Sequence, residues 1–167
     1  GITGRNEEHL KSTVAELEKL GVKAVYSVFN VDEMAQVEQG VASIASQLGG
    51  IDILINNAGV GDFGSFEDMP VETWEKVMKV NLFGVYYVAK ATLPYLKQNK
   101  EGDIVNVAST AGLKGGPNMS AYCASKAAVI SLSQSLMAEL RKFNIRVITL
   151  TPSTIATDMS IEGKLTD

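Results

Sequence analysis

The chain has 167 residues, 46% of them hydrophobic, and a net charge of −4 with a pI near 5.1, enough apolar residues for one core and no basic footprint for nucleic acid. No apolar run approaches the ~18–20 residues that cross a bilayer, so no membrane partner is expected. The single cysteine, Cys123, excludes an internal disulfide framework and suits a reducing cytoplasm, and with one distant histidine, His9, no metal site is expected.

Gly1-Ile2-Thr3 reads as the tail of a strand, without an initiator Met. The segment "NEEHLKSTVAELEKLG" then sets Leu10, Val14, Leu17 and Leu20 at helical spacing, with Asn6 as N-cap, Gly21 as the stop and His9 solvated in an acidic first turn. Residues 22–29, "VKAVYSVF", read as a strand. Asp32 caps a second helix carrying Met34, Val37, Val41, Ile44 and Leu48, closed by Gly49-Gly50. Residues 51–56, "IDILIN", read as a buried strand of branched aliphatics. After the loop "GVGDFG", Pro70 introduces one long helix through Trp74, Val77, Val85, Val88 and Leu93, kinked at Pro94. "DIVNVAS" and "IRVITLTP" are two more strands, and the helix between them holds "SAYCASKAAV", residues 120–129.

Strands that are continuously apolar are covered on both faces, the condition of a parallel sheet wrapped by crossover helices. The fold class is therefore α/β, doubly wound, with residues 1–167 in a single Rossmann-like domain. In such folds ligands bind beyond the carboxyl ends of the strands. Four strands end there in Asn30-Val31-Asp32, Asn57-Ala58-Gly59, Ser109-Thr110-Ala111-Gly112 and Thr151-Pro152-Ser153-Thr154. Singly, each is an ordinary turn. On one edge of one sheet they line a crevice, where Ala58 and Gly59 let a flat ligand approach the backbone.

Two features stand out against this frame. Asn81 continues the apolar stripe of Trp74, Val77, Met78 and Val85, so its amide points at the core, where an unpartnered polar group costs ~1–3 kcal/mol. It either pins a neighbouring backbone group or a bound water, or it serves the site. Tyr122 and Lys126 lie four apart on one helix face, so a phenol and an ammonium reach a single object. By itself such a pair is more often an incidental surface pair.

Together, Asn56-Asn57-Ala58-Gly59, the "VNLFGVYY" around Asn81, Ser109 thirteen residues before Tyr122, Lys126 four after it and the loop from Pro152 to Thr157 resemble the classical short-chain dehydrogenase/reductase family. The likeness spans almost the whole chain and looks most like bacterial 3-oxoacyl-carrier-protein reductases and related carbonyl reductases. It implies NADPH-dependent reduction of a carbonyl, on a small molecule or an acyl-carrier-protein-bound thioester, to a secondary alcohol. Tyr122 would be the general acid, and Lys126 would hold the nicotinamide ribose. A free phenol has a pKa of ~10, and a nearby cation lowers it. Ser109 would donate to the substrate carbonyl, and Asn81 would hold a water relaying protons from Lys126. The resemblance puts Asn57, Ala58 and Gly59 beside the adenine ribose, Asn30 and Val31 at the adenine edge, and Pro152, Ile155 and Thr157 in the carboxamide loop. Many relatives carry Asp where Asn30 stands.

Where NAD-selective relatives place an acid after the opening strand, this chain has Gly4 and Arg5, and a guanidinium pairs with a 2′-phosphate, so the expected cofactor is NADP. The alternative for Arg5 is a solvated side chain ahead of a helix. Two departures accompany the likeness. The family's first strand and glycine-rich pyrophosphate loop would lie before Gly1, and its closing elements after Asp167; the chain reads as a segment of a longer protein, its sheet gapped beside the opening strand. Ser153 also stands where the family usually has Gly. The rival functions are an NAD(P)-dependent alcohol or sugar dehydrogenase, and a non-catalytic relative that keeps the fold for oligomerisation or dinucleotide sensing. Residues 111–121 and the segment after Thr157 are expected to shape the substrate pocket, Met119 either lines it or fills a gap in the packing, and Cys123 has no catalytic part. Tyr86, Tyr87, Ile130, Leu132 and Leu136 give the helices of residues 70–99 and 120–143 apolar surface beyond one stripe, and the resemblance makes them the pairing helices of a homotetramer.

Overall fold

A computed structural model describes residues 1–155. The first strand, β1 (Ile2–Gly4), leads into α1 (Glu7–Lys19), whose start follows the sequence: the His9 amide donates to Asn6 Oδ1 at 3.1 Å. The chain leaves the helix past Leu20, and Gly21 takes a positive φ of 80°. Strand β2 (Tyr26–Val28) pairs parallel with β1 and is shorter than the expected 22–29. A ladder ends where its partner ends, and β1 offers only three residues. The helix α2 (Met34–Leu48) also departs in one detail, because Glu33 rather than Asp32 stands at its N-cap. The Glu33 amide donates to the Asn30 carbonyl, a turn that puts Asp32 outside the helix. Gly49 closes α2 in the left-handed conformation, as its position predicts.

Strands β3 (Ile53–Asn56), β4 (Gly102–Val107) and β5 (Ile145–Leu150) form a second parallel sheet in that order. Strands β1–β2 and β3–β4–β5 are separate sheets. Between them runs a cleft of about 790 Å³, lined by Ile2 and Thr3 on one side and by Ile53, Leu54 and Ile55 on the other. This is the gap expected beside the opening strand. It also corrects the reading of residues 51–56 as fully buried, since Ile53 and Ile55 are 58% and 62% exposed. With no strand paired on that side, their apolar side chains open onto the cleft.

Helix packing holds the two sheets together. Phe29, Val37 and Val41 form a buried cluster against Tyr87, Val88, Ala91 and Tyr95, so α2 and α4 (Gly84–Gln98) bridge the cleft. A second cluster joins Leu96, Ile104, Leu140, Ile145 and Val147 under the sheet. A third, Val85, Ala108 and Val129, seats α5 (Ser120–Leu140) beneath the carboxyl end of β4.

The long helix expected after Pro70 is three pieces. α3 (Val71–Met78) passes into a π-helical turn, Lys79–Phe83, before α4. A π turn inserts an extra residue and re-aims one side chain; here Asn81 sits within it, fully buried. Pro94 lies inside α4, which continues through it to Gln98.

Candidate active site

Tyr122 and Lys126 occupy the first turns of α5. The Lys126 side chain turns inward, leaving the residue 6% exposed, and its Nζ donates to the Val107 carbonyl at 2.8 Å. The ammonium stands 5.7 Å from the centroid of the Tyr122 ring. Burial lowers its pKa from the ordinary 10.5 to about 8, which leaves it cationic at neutral pH. The Phe63 ring packs edge-on against Tyr122, with centroids 5.7 Å apart. The incidental surface pair is therefore not what the fold builds.

Asn81 receives a full set of partners. Its Oδ1 accepts the Val60 amide at 2.8 Å, and its Nδ2 donates to the Val60 carbonyl at 2.9 Å and to Ser125 Oγ at 3.1 Å. Both amide hydrogens are engaged, so any water at this side chain meets only the second lone pair of Oδ1. A Cβ added at Gly59 would lie 3.3 Å from Asn81 Oδ1 and 3.6 Å from Lys126 Nζ. Gly59 thus lets the loop backbone lie close against the buried Lys126 ammonium and the Asn81 amide oxygen, where a side chain would be tight.

Ser109 lies two residues past β4 and caps a 3-10 turn, Thr110–Gly112, with its Oγ accepting the Ala111 amide at 3.1 Å. The Thr110 amide donates to the Pro152 carbonyl at 3.0 Å, tying this turn to the segment that follows β5. Because β4 and β5 are parallel and in register through Val107 and Leu150, Ser109 and Pro152 emerge side by side.

Four of the remaining expected residues line two cavities. Val31, Asn57 and Ala58 line the inter-sheet cleft together. The Asn30 amide is taken by Gln36 Oε1 at 3.1 Å. Arg5 lines a separate open cavity of about 850 Å³ with Gly4, Asn6, Glu7 and Glu8. Glu7 accepts from Tyr26 and pairs with Lys11, which also bridges Glu8. The Tyr26 hydrogen bond and then Lys11 hold the Glu7 carboxyl below its ordinary pKa. Ile155 is exposed, and Thr157 lies outside the described residues.

Sequence reasoning missed two buried polar chains. Ser125 is fully buried, accepts from Asn81 and donates to the Tyr122 carbonyl at 2.7 Å, so it ties the tyrosine's own backbone to the π turn. Asn56 donates to Asn106 at 2.8 Å, Asn106 to Ser133 at 2.9 Å, and Ser133 to the Val129 carbonyl at 2.7 Å. This second chain fixes β3 to β4 and β4 to α5. The signal was the one that singled out Asn81: a polar residue inside an otherwise apolar run.

The described residues thus form a parallel α/β scaffold that carries Tyr122 and the buried Lys126 one helical turn apart on α5, with Ser109 just beyond the carboxyl end of β4. The short chain dehydrogenase family model matches residues 1–166, and the chain belongs to the short-chain dehydrogenase/reductase family. It is 38% identical over 155 residues to a 3-oxoacyl-[acyl-carrier-protein] reductase of Thermotoga maritima, covering 93% of this chain and 63% of that protein. The fold superposes with a TM-score of 0.93 on a gluconate 5-dehydrogenase of Burkholderia cenocepacia solved with NADP and tartrate, at 30% identity, covering 99% of this chain and 65% of that one. An NAD⁺-bound xylitol dehydrogenase matches with the same TM-score at 35% identity, covering 98% and 63%. The chain therefore spans a little under two-thirds of the length of these relatives.

Proposed function

We propose that the protein is an NADPH-dependent carbonyl reductase that converts a 3-oxoacyl thioester to its 3-hydroxyacyl product. The observation that carries this reading is the buried Lys126 ammonium held beside the Tyr122 ring, with the Ser109 turn packed against the same helix. The thioester is supported by the 38% identity to the Thermotoga reductase. The dinucleotide, when bound, supplies the hydride to the carbonyl carbon. Tyr122 donates the proton to the carbonyl oxygen, which completes the secondary alcohol, and Ser109 hydrogen-bonds that oxygen as charge grows on it. Lys126 stabilises the phenolate left behind and holds the ribose. Asn81, through Val60, fixes the loop that carries Asn57, Ala58 and Gly59 beside the nucleotide, with Val31 and Asn30 at the adenine edge and Pro152, Ile155 and Thr157 at the carboxamide. A water relay from Lys126 past Asn81 belongs to the same proposal.

The second reading, an alcohol or sugar dehydrogenase, is favoured by the likeness to the gluconate and xylitol enzymes. Steady-state kinetics of the intact protein separates the two. A 3-oxoacyl thioester should exceed gluconate and xylitol in kcat/KM by at least ~10²-fold, the discrimination that a few kcal/mol of differential binding gives. A preference for the polyols would overturn the proposal.

Cofactor choice rests on Arg5, which is exposed and carries no salt bridge among the described residues, while its carboxylate neighbours are held by Lys11 and Tyr26. A charged hydrogen bond of ~1.5–3 kcal/mol to the 2′-phosphate favours NADPH over NADH by roughly ten- to a hundredfold in kcat/KM. Arg5→Ala should erase much of that ratio by weakening NADPH alone, and Gly4→Asp should turn it towards NADH. Equal efficiencies in the unmodified protein would assign selectivity elsewhere.

We also propose a cytoplasmic homotetramer paired through α4 and α5. Among the described residues no helix is long and apolar enough to cross a membrane. Tyr87, Ile130, Leu132 and Leu136 pack into the chain's own core, but Tyr86 and Met137 remain exposed on these helices, as does Phe83 at the end of the π turn before α4. Light scattering at micromolar concentration should give four protomer masses, and a monomer would contradict the pairing.

A further inference from the structure

Gly112 closes the 3-10 turn that starts at Ser109, and it touches the helix of the candidate acid. A Cβ built on it would lie 2.6 Å from the Lys126 carbonyl carbon and 2.8 Å from both the Lys126 oxygen and the Ala127 nitrogen. All three are main-chain atoms of α5, so no side-chain rotation relieves the contact. Its φ is not among the positive values, so left-handed backbone does not explain a glycine here. Close approach does. The space between turn and helix is about 0.8 Å too small for any side chain, taking 3.4 Å as the start of ordinary contact.

We infer that Gly112 is a positioning residue that sets the separation between Ser109 and the Tyr122–Lys126 helix, and this rests on the acid–base reading proposed above. The two sides of the contact differ in stiffness. α5 is a 21-residue helix anchored from below by Asn81 on Ser125 and by Asn106 on Ser133. The turn is three residues long; its start is held to β5 by the Ala108 and Thr110 amides on the Leu150 and Pro152 carbonyls, but its amides at Gly112 and Leu113 bond only within the turn, to the Ser109 and Thr110 carbonyls. A side chain at 112 therefore pushes the free end of the turn, and the push reaches Ser109 through the Gly112 amide on its carbonyl and the Ala111 amide on its Oγ. Ser109 and Tyr122 must reach one carbonyl oxygen, and hydrogen bonds tolerate only a few tenths of an ångström. A displacement approaching 1 Å costs ~10²-fold in rate. Tyr122 and Lys126 share a helix, so their mutual spacing is untouched.

A double-mutant cycle on the intact protein tests this, with kcat, KM for the carbonyl substrate, the pH profile and the melting temperature measured for each variant. Ser109→Ala should lower kcat ~10²-fold. Gly112→Ala alone should lower kcat by roughly ten- to a hundredfold, with KM within about threefold and the pH profile unshifted. In the Ser109→Ala background, Gly112→Ala should cost less than about threefold more, because the group it misplaces is already gone. Independent, multiplicative losses would overturn the inference. So would a shifted pH profile, full activity in Gly112→Ala, or a Gly112→Ala chain that cannot fold, since the contact would then maintain the fold rather than tune the site. If Ser109→Ala itself is fully active, the acid–base reading fails first, and the cycle reports that separately.

Discussion

Tyr122→Phe should reduce kcat for carbonyl reduction by at least ~10²-fold while NADPH still binds within about threefold of its original affinity. The substitution keeps the ring, and with it the edge-on contact to Phe63 and the site beside the Lys126 ammonium. It deletes one hydroxyl and its proton. Loss of a positioned general acid costs ~10²–10⁴ in rate, whereas loss of a packing contact of this kind costs nothing here because the ring stays. Retention of more than about a tenth of kcat would remove Tyr122 from the role. Stopped-flow cofactor binding beside steady-state turnover distinguishes a lost acid from a lost nucleotide site.

Lys126→Met should cost a similar factor in kcat/KM and also change the response to pH. The ammonium holds the ribose in the proposed mechanism and offsets the charge on the tyrosine oxygen, so its removal weakens both binding and proton transfer. For the unmodified protein, kcat/KM for NADPH should fall as pH rises through about 8, where the buried ammonium loses its proton. The Met variant should lack that limb, and the same break in both proteins would assign it to another group. Stability follows in the opposite sense. Burial lowers the folded-state pKa to about 8 against an ordinary 10.5, so over that interval the unfolded chain binds more protons. Stability therefore rises with pH between about 8 and 10.5, and Lys126→Met should not show the rise.

Much of the site was legible because its chemistry breaks the pattern of its surroundings. Asn81 interrupted an apolar stripe, and the fold buries it with every amide hydrogen engaged. Asn106 interrupted a strand in the same way, and Ser125 and Ser133 lie on the face of α5 that buries Val129, yet none of the three stands out in the sequence as Asn81 does. A serine in a helix satisfies itself on a backbone carbonyl, as Ser133 does on Val129, so its presence raises no cost that sequence can register. Strand limits were misread where the partner strand decides them. β2 stops at Val28 because β1 is short, and Ile53 and Ile55 face a cleft although their composition reads as core. The break between α3 and α4 was invisible for a different reason. A π turn keeps helical dihedrals and changes only which carbonyl each amide meets, so its residues look like those of one continuous helix. Gly112 carries the same lesson for turns, since its reason is a helix that passes close by from residue 126.

The central claim is that this chain's site completes a hydride transfer to a carbonyl carbon, with the proton supplied by Tyr122. The direct measurement is mass spectrometry of the alcohol formed by the intact protein from a 3-oxoacyl thioester and NADPH deuterated at the transferring position of its nicotinamide ring. One deuterium on the former carbonyl carbon, with product formation at least ~10²-fold slower in Tyr122→Phe, is the predicted result. Unlabelled alcohol, or labelled alcohol formed at an undiminished rate by Tyr122→Phe, would contradict it.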